Sequence, residues 1–190
     1  YRSTDSGASW SLVQSGFAID ITVDPVDVNN VYAALYGSGV AKSTDGGATW
    51  AMANQGLGGL DVVALAIDPA KPTTLYAGTQ AGLYKSVDGA TQWMPLDIGI
   101  PNKVLTAVTV DPSDSAIVYA GVDSNGVFRS VDGGQSWEPV NIGLRDLRIK
   151  ALLVDPFDPK FVFAGTTYSG LFRTWEYHYF VPYTSNQIIQ

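Results

Sequence analysis

The chain has 190 residues, enough to bury a core without a metal or disulfide staple. It is 46% hydrophobic and 15% charged, with 20 Gly, 10 Pro and a net charge of -7; this favours a turn-rich all-β protein and disfavours nucleic acid or anionic membrane partners. Zero cysteines exclude disulfides, thiol nucleophiles and Cys-ligated zinc, and no apolar run approaches the roughly 18–20 residues of a membrane span.

The chain opens at Tyr1, with neither a Met nor a signal peptide, as a processed product or a fragment would. Its first feature is an octet, Ser3-Thr4-Asp5-Ser6-Gly7-Ala8-Ser9-Trp10, which returns as Ser43 to Trp50, Ser86 to Trp93 and Ser130 to Trp137. The tryptophans Trp10, Trp50, Trp93 and Trp137 are 40, 43 and 44 residues apart. Between the octets run Asp24-Pro25, Asp68-Pro69, Asp111-Pro112 and Asp155-Pro156, in steps of 44, 43 and 44. Each is followed by a third mark: Val31-Tyr32-Ala33, Leu75-Tyr76-Ala77, Val118-Tyr119-Ala120 and Val162-Phe163-Ala164. Three marks sharing a period near 43 define a repeat, and that is the length four short strands and their turns require.

Within one copy the predicted elements follow in order. Val62 to Ile67 is almost wholly apolar, as an inner strand covered on both faces would be, and Asp68-Pro69 ends it. Thr74 to Gly78 and Gly82 to Ser86 are the next two strands, and Gln92-Trp93-Met94-Pro95 is the outer one. No stretch of ten residues keeps a helical period, so helix should be minimal.

Each octet position has a physical reason. The carboxylates of Asp5, Asp45, Asp88 and Asp132 accept backbone N–H bonds inside a tight turn, glycine supplies φ > 0, and the Ser and Thr hydroxyls satisfy further turn groups. The tryptophan lays a large ring against the hairpin. The third octet departs, with Ala90 at the glycine position and Gln92 at the hydroxyl position, and its hairpin should be looser.

These octets resemble the Asp-box, or bacterial neuraminidase repeat, of sialidases, sortilin-type proteins, glycoside hydrolase family 74 xyloglucanases and photosystem II assembly factors. Three of the four match Ser-x-Asp-x-Gly-x-Thr/Ser-Trp in full, and the resemblance covers residues 1–173. It implies an all-β protein: a β-propeller of four blades, each a four-stranded antiparallel sheet. It also implies that the boxes lie on the outer rim, away from a central channel, as folding devices and not as calcium or ligand sites.

The repeat breaks at its ends. After Gly170-Leu171-Phe172-Arg173-Thr174 the box is abandoned for Trp175-Glu176-Tyr177, whereas Tyr1-Arg2-Ser3 leads into a box with no strands before it. An unpaired edge must be covered or paired. The expectation is a propeller domain over 1–174 whose last blade is completed by the N-terminal strand of the same or of a neighbouring chain; the latter would propagate head to tail. Residues 175–190, with Tyr177, Tyr179, Phe180, Val181 and Tyr183 around Pro182, form an aromatic tail outside the repeat, suited to a strand on another sheet or to a frayed end.

Catalytic constellations are hard to assemble. Arg2, Arg129 and Arg173 share one repeat position, unlike a converged arginine cluster. The only glutamates are Glu138 and Glu176, and His178 is the only histidine, so no catalytic residues, metal site or cofactor are expected. A full xyloglucanase, built of two seven-bladed propellers, is ruled out by length. A binding face should lie opposite the boxes, on the loops that offer Tyr36, Gln80, Asp123, Asn125 and Tyr168, together with Asp61, Asp97, Arg145, Asp146 and Arg148. The function expected is a non-enzymatic extracellular scaffold, adhesin or self-assembling surface module whose partner is itself, with carbohydrate or peptide as further ligands. The alternative is a fragment of a carbohydrate-active propeller enzyme, or a carbohydrate- or peptide-binding propeller.

Overall fold

A computed structural model describes residues 1–100, 104–175 and 179–183. Among them there is no helix, and so none long and apolar enough to cross a membrane. Four sheets follow one another along the chain. The first holds β1 (Phe17–Val23), β2 (Val31–Tyr36), β3 (Gly39–Ser43) and β4 (Ala51–Met52); the second holds β5 (Val62–Ile67), β6 (Leu75–Thr79), β7 (Gly82–Ser86) and β8 (Met94–Leu96). The third holds β9 (Leu105–Val110), β10 (Val118–Val122), β11 (Gly126–Ser130) and β12 (Glu138–Pro139), and the fourth β13 (Ile149–Val154), β14 (Val162–Thr166), β15 (Leu171–Trp175) and β16 (Tyr179–Pro182). Every pairing is between sequence neighbours and antiparallel, so each sheet is a meander and a blade.

Two of the periodic marks close turns at the same end of each blade. In the β1–β2 connection Asp24 accepts the N–H groups of Val26 and Asp27 at 2.8 and 3.0 Å, and Asp68, Asp111 and Asp155 repeat the device. The proline after each carries no N–H to leave unsatisfied. In the β3–β4 turn the Ser43 hydroxyl donates to Asp45 and accepts from Gly47 N–H, while Asp45 accepts the N–H groups of Ala48 and Thr49 and the Thr49 hydroxyl. The Thr49 hydroxyl, its N–H and the Ser43 hydroxyl hold the Asp45 carboxyl well below the ordinary carboxylate range; Asp132 behaves likewise, and Asp5 is lowered to about 2.

A carboxyl depressed in the folded state stabilises above its unfolded pKa, near 3.9, and that contribution is lost as pH falls through the depressed folded value. The melting temperature is therefore expected to hold from neutrality to about pH 5 and to fall below about pH 4. Asp45→Asn and Asp132→Asn should each flatten that acid limb, measured by circular dichroism melts from pH 7 to pH 2.

The blades pack face to face in chain order, β1 beside β5, β5 beside β9 and β9 beside β13. Tyr32, Ala34 and Val40 of the first blade meet Val62, Leu65, Leu75 and Ala77 of the second. Ala64, Ala66, Tyr76 and Leu83 meet Val108, Val110 and Val118 of the third, and Tyr119 and Val127 meet Ile149, Val162 and Phe172 of the fourth. Long cations cross two seams: Lys42 Nζ donates to the Gly89 carbonyl at 2.8 Å and Lys85 Nζ to the Gly133 carbonyl at 2.7 Å.

The strand that completes the last blade corrects the sequence expectation. It is β16, supplied by the tail of the same chain, and not the N-terminal strand of this chain or a neighbour. Phe180 takes the place of a box tryptophan. In the second blade Trp93 precedes the Met94–Lys85 pair and its N–H donates to the Gln55 carbonyl; in the fourth, Phe180 precedes the Val181–Arg173 pair and its N–H donates to the Ile142 carbonyl. The N-terminal box folds instead as a hairpin of its own, bridged between Arg2 and Ser11, with Trp10 62% exposed. The blades form an open arc, and both end faces are at least partly bare. Leu171, for example, is 41% exposed where its equivalents Val40, Leu83 and Val127 are 0%. The expectations placed on Glu176, Tyr177 and His178 lie outside the described residues.

The third box also differs from the other three. Elsewhere the tryptophan ring lies over the box glycine, within 3.8 Å of where a Cβ on Gly7, Gly47 or Gly134 would stand, and Trp50 and Trp137 donate to the carbonyl of that same glycine. Ala90 holds this position at φ 66°, and its Cβ fills the space the ring would occupy. Trp93 swings into the seam instead, where it is 1% exposed and donates to the Ala53 carbonyl at 2.8 Å. Asp88 keeps the Ser86 hydroxyl and the Gln92 N–H but lacks the second hydroxyl donor of the other boxes, and the ring beside it is the most buried of the box tryptophans.

Candidate functional site

Because each blade is a four-strand meander, its β2–β3 type turn and the crossover to the next blade lie at one end, and both the Asp-Pro and box turns at the other. The crossover end gathers the loops singled out in the sequence. Tyr36 closes β2, with Gln80 at the matching position of the second blade, Asp123 of the third and Thr167 of the fourth. Beneath them the four inner strands wall a groove of about 560 Å³.

The structure sorts the candidates into two clusters and several bystanders. On the first blade, Gln80 Nε2 donates to the Tyr36 hydroxyl at 2.8 Å, and Phe17 stands edge-on to the Tyr36 ring at 6.4 Å. On the last blade, Arg148 Nε donates to Asp146 at 2.8 Å, Tyr168 N–H donates to the other oxygen of that carboxylate, and the guanidinium lies 4.1 Å from the Tyr168 ring centroid. The Arg148 hydrogen bond lowers the Asp146 pKa and raises its own. Asp146 is thereby a brace for the ring and the guanidinium. Tyr36, Tyr168 and Arg148 are exposed, each in a fixed attitude.

Gln80 and Asp123 line the groove itself. Asn125 does not; it donates to the Asp123 carbonyl and accepts from Asn141, shaping the β10–β11 turn. Arg145 is exposed outside the groove, and Asp61 offers its carbonyl to Gln80 N–H.

Sequence reasoning missed the groove floor. The first strand of each blade carries an irregularity against its neighbour, skipping Ile19, Val63, Thr106 and Lys150 in register. A bulge residue is unpaired and re-aims its side chain, and all four line the groove. Asp20 lines it too, but its oxygens accept from Ile21 and Leu65 N–H at 2.8 Å each, tying the first blade to the second. Thr106 Oγ1 is buried there without a hydrogen-bond partner. In the sequence each of the four stands five positions ahead of the Asp of an Asp-Pro pair. Among the described residues no group of three or more His, Asp or Glu side chains can hold a metal ion.

No protein-family profile and no curated protein matches the chain. Solved structures do. An ancestral GH74 enzyme superposes with a TM-score of 0.77 at 23% identity, over 90% of this chain and 24% of its own. The GH74 xyloglucanase of Xanthomonas campestris gives 0.74 at 19%, over 93% and 31%. YCF48 bound to D1 peptide gives 0.63 at 14%, over 84% and 52%. The fold is a β-propeller. The propeller blades here span under a third of the length of either GH74 enzyme, and at these identities the likeness speaks for the fold alone.

Proposed function

We propose that this propeller arc is the ligand-binding part of a secreted or cell-surface protein, without catalysis of its own, and that it takes an extended glycan along the groove. Its octets are read as Asp-boxes on their residue pattern and shared turn hydrogen bonds. The observation that carries the reading is the pair of exposed rings, Tyr36 and Tyr168, each braced by a neighbouring side chain on the crossover-end loops of the first and last blades; Gln80, which braces Tyr36, also lines the groove. A sugar ring has an apolar face and a hydroxyl edge, which suits a fixed aromatic platform flanked by amide, hydroxyl and charged groups. Bracing also removes ordering cost on binding. Gln80 supplies an amide at the groove, and Asp123 and Lys150 supply charge.

The likeness to GH74 enzymes supports the glycan, and that to YCF48 bound to D1 peptide supports a peptide as the second reading. Both favour binding over a self-assembling scaffold, whose strand-exchange premise is weakened by β16. Absence of catalysis is proposed because Asp20, one of the two carboxylates that line the groove, is spent on backbone N–H groups. Titration calorimetry with xyloglucan oligosaccharides should give binding that Tyr36→Ala and Tyr168→Ala each weaken about tenfold, or ~1.4 kcal/mol. Turnover of xyloglucan, or affinity indifferent to both substitutions, would sink the proposal; binding of peptides alone would select the second reading.

A further inference from the structure

The N-terminal hairpin is the outer half of a blade. Arg2 pairs with Ser11 as Lys42 pairs with Ala51 and Lys85 with Met94. Its side chain also lies within 4 Å of where Cβ atoms on Gly46 and Gly47 would stand, so it reaches the next blade's box as Lys42 reaches Gly89 and Lys85 reaches Gly133. The box itself is complete, with Ser3 donating to Asp5 and Asp5 accepting from Ser9 N–H and hydroxyl. This hairpin therefore occupies a blade position one seam ahead of β1, and no inner strands stand beside it among the described residues.

The first blade's rear face shows the same vacancy. Its outer part is covered, with Gly16 against Leu35. Its inner part is bare: Ile21 is 61% exposed, whereas the equivalent Leu65 and Val108 are 6% and 7%, each packed on the blade before. Val23 is 45% exposed where Val110 is 6%. Covered and bare parts meet between β2 and β1, and in the internal seams it is the inner pair of strands of the blade before that covers the first strand.

We propose that this face is an inter-blade seam, covered by the inner β-hairpin of one further blade of the same repeat, whose third strand is Tyr1 to Ser3. The three internal seams define what that hairpin presents: small side chains on its first strand, as Ala64 and Ala66 or Ala107 and Thr109 are, and on its second a tyrosine like Tyr32 or Tyr76, which lies under the third-strand cation. The last blade of a second copy is a poor occupant, since its own β15 and β16 would fall where the Arg2–Ser11 hairpin already stands.

The test is to supply the missing half. Residues 60–83, which contain β5 and β6, are fused ahead of Tyr1, so that Tyr1 takes the place of Tyr84. The melting temperature is expected to rise by several degrees, and amide exchange across Phe17 to Val23 to slow at least tenfold. Tyr76→Asp in the grafted copy, or Ile21→Asp in the receiving blade, should abolish both gains. A graft that melts at or below the parent, or whose gains survive those substitutions, overturns the proposal. So does light scattering of the unmodified chain that finds dimers dissolved by Ile21→Asp, since that outcome gives the face to a second copy.

Discussion

Replacing Trp93 with alanine is expected to cost about 3–5 kcal/mol, the range for deleting a fully buried aromatic side chain. Over a chain of this size that lowers the melting temperature by roughly 6–20 °C. The ring sits between two blades, and its indole N–H is satisfied only by the Ala53 carbonyl of the blade before. Truncation therefore opens a cavity in the seam and strands that carbonyl at once. Trp137→Ala should cost less than half as much, because that ring lies half-exposed over Gly134 and donates within its own turn. Equal costs for the two substitutions, measured by urea denaturation, would refute the assignment of different duties to two copies of one motif.

Phe180→Ala should be comparably damaging, again about 3–5 kcal/mol. The ring is 2% exposed among Val140, Ile149 and Phe172, and its strand supplies the fourth edge of the last sheet. Gly143 is shaped to admit it: a Cβ there would collide with the Phe180 carbonyl oxygen, and its φ of 89° disfavours any other residue. Ending the chain after Trp175 should be worse still, leaving β15 as a bare edge. Deleting residues 1–9 should leave the melting temperature almost unchanged, since Trp10 and its hairpin are largely in solvent. A large loss from the N-terminal deletion with none from the C-terminal truncation would reverse this assignment of which end completes the sheet.

The blades were legible because a period of about 43 residues carries its own chemistry: carboxylate turns at Asp24 and its equivalents, and carboxylate, hydroxyl and glycine at each box. The closing strand was misread for a physical reason. The box turn is only one way to join the third and fourth strands, and a shorter link from Trp175 to Tyr179 does the same without Asp or Gly. A trace was present, since aromatic-x-Pro recurs as Trp93-Met94-Pro95, Trp137-Glu138-Pro139 and Phe180-Val181-Pro182. At the candidate site, loop position alone put Tyr36, Gln80, Tyr168 and Arg148 at the crossover end, where the structure has them. The floor residues Ile19, Val63, Thr106 and Lys150 were not legible, because a bulge shifts a side chain's direction without changing the apolar look of the strand around it.

The ties from Lys42 and Lys85 to the following blade's turn have a thermodynamic corollary. Each blade touches only its immediate neighbours, so the molecule behaves as a short one-dimensional array, with cohesion summed from blade to blade. Such an array frays from its tips. Under mild urea the outermost sheets should exchange their amides first, and the two central ones, which hold Val63 and Thr106, should remain protected longest. The middle of the groove would then outlast the tyrosines on the loops of the two outermost blades, and affinity would fade well before the last native sheet is lost.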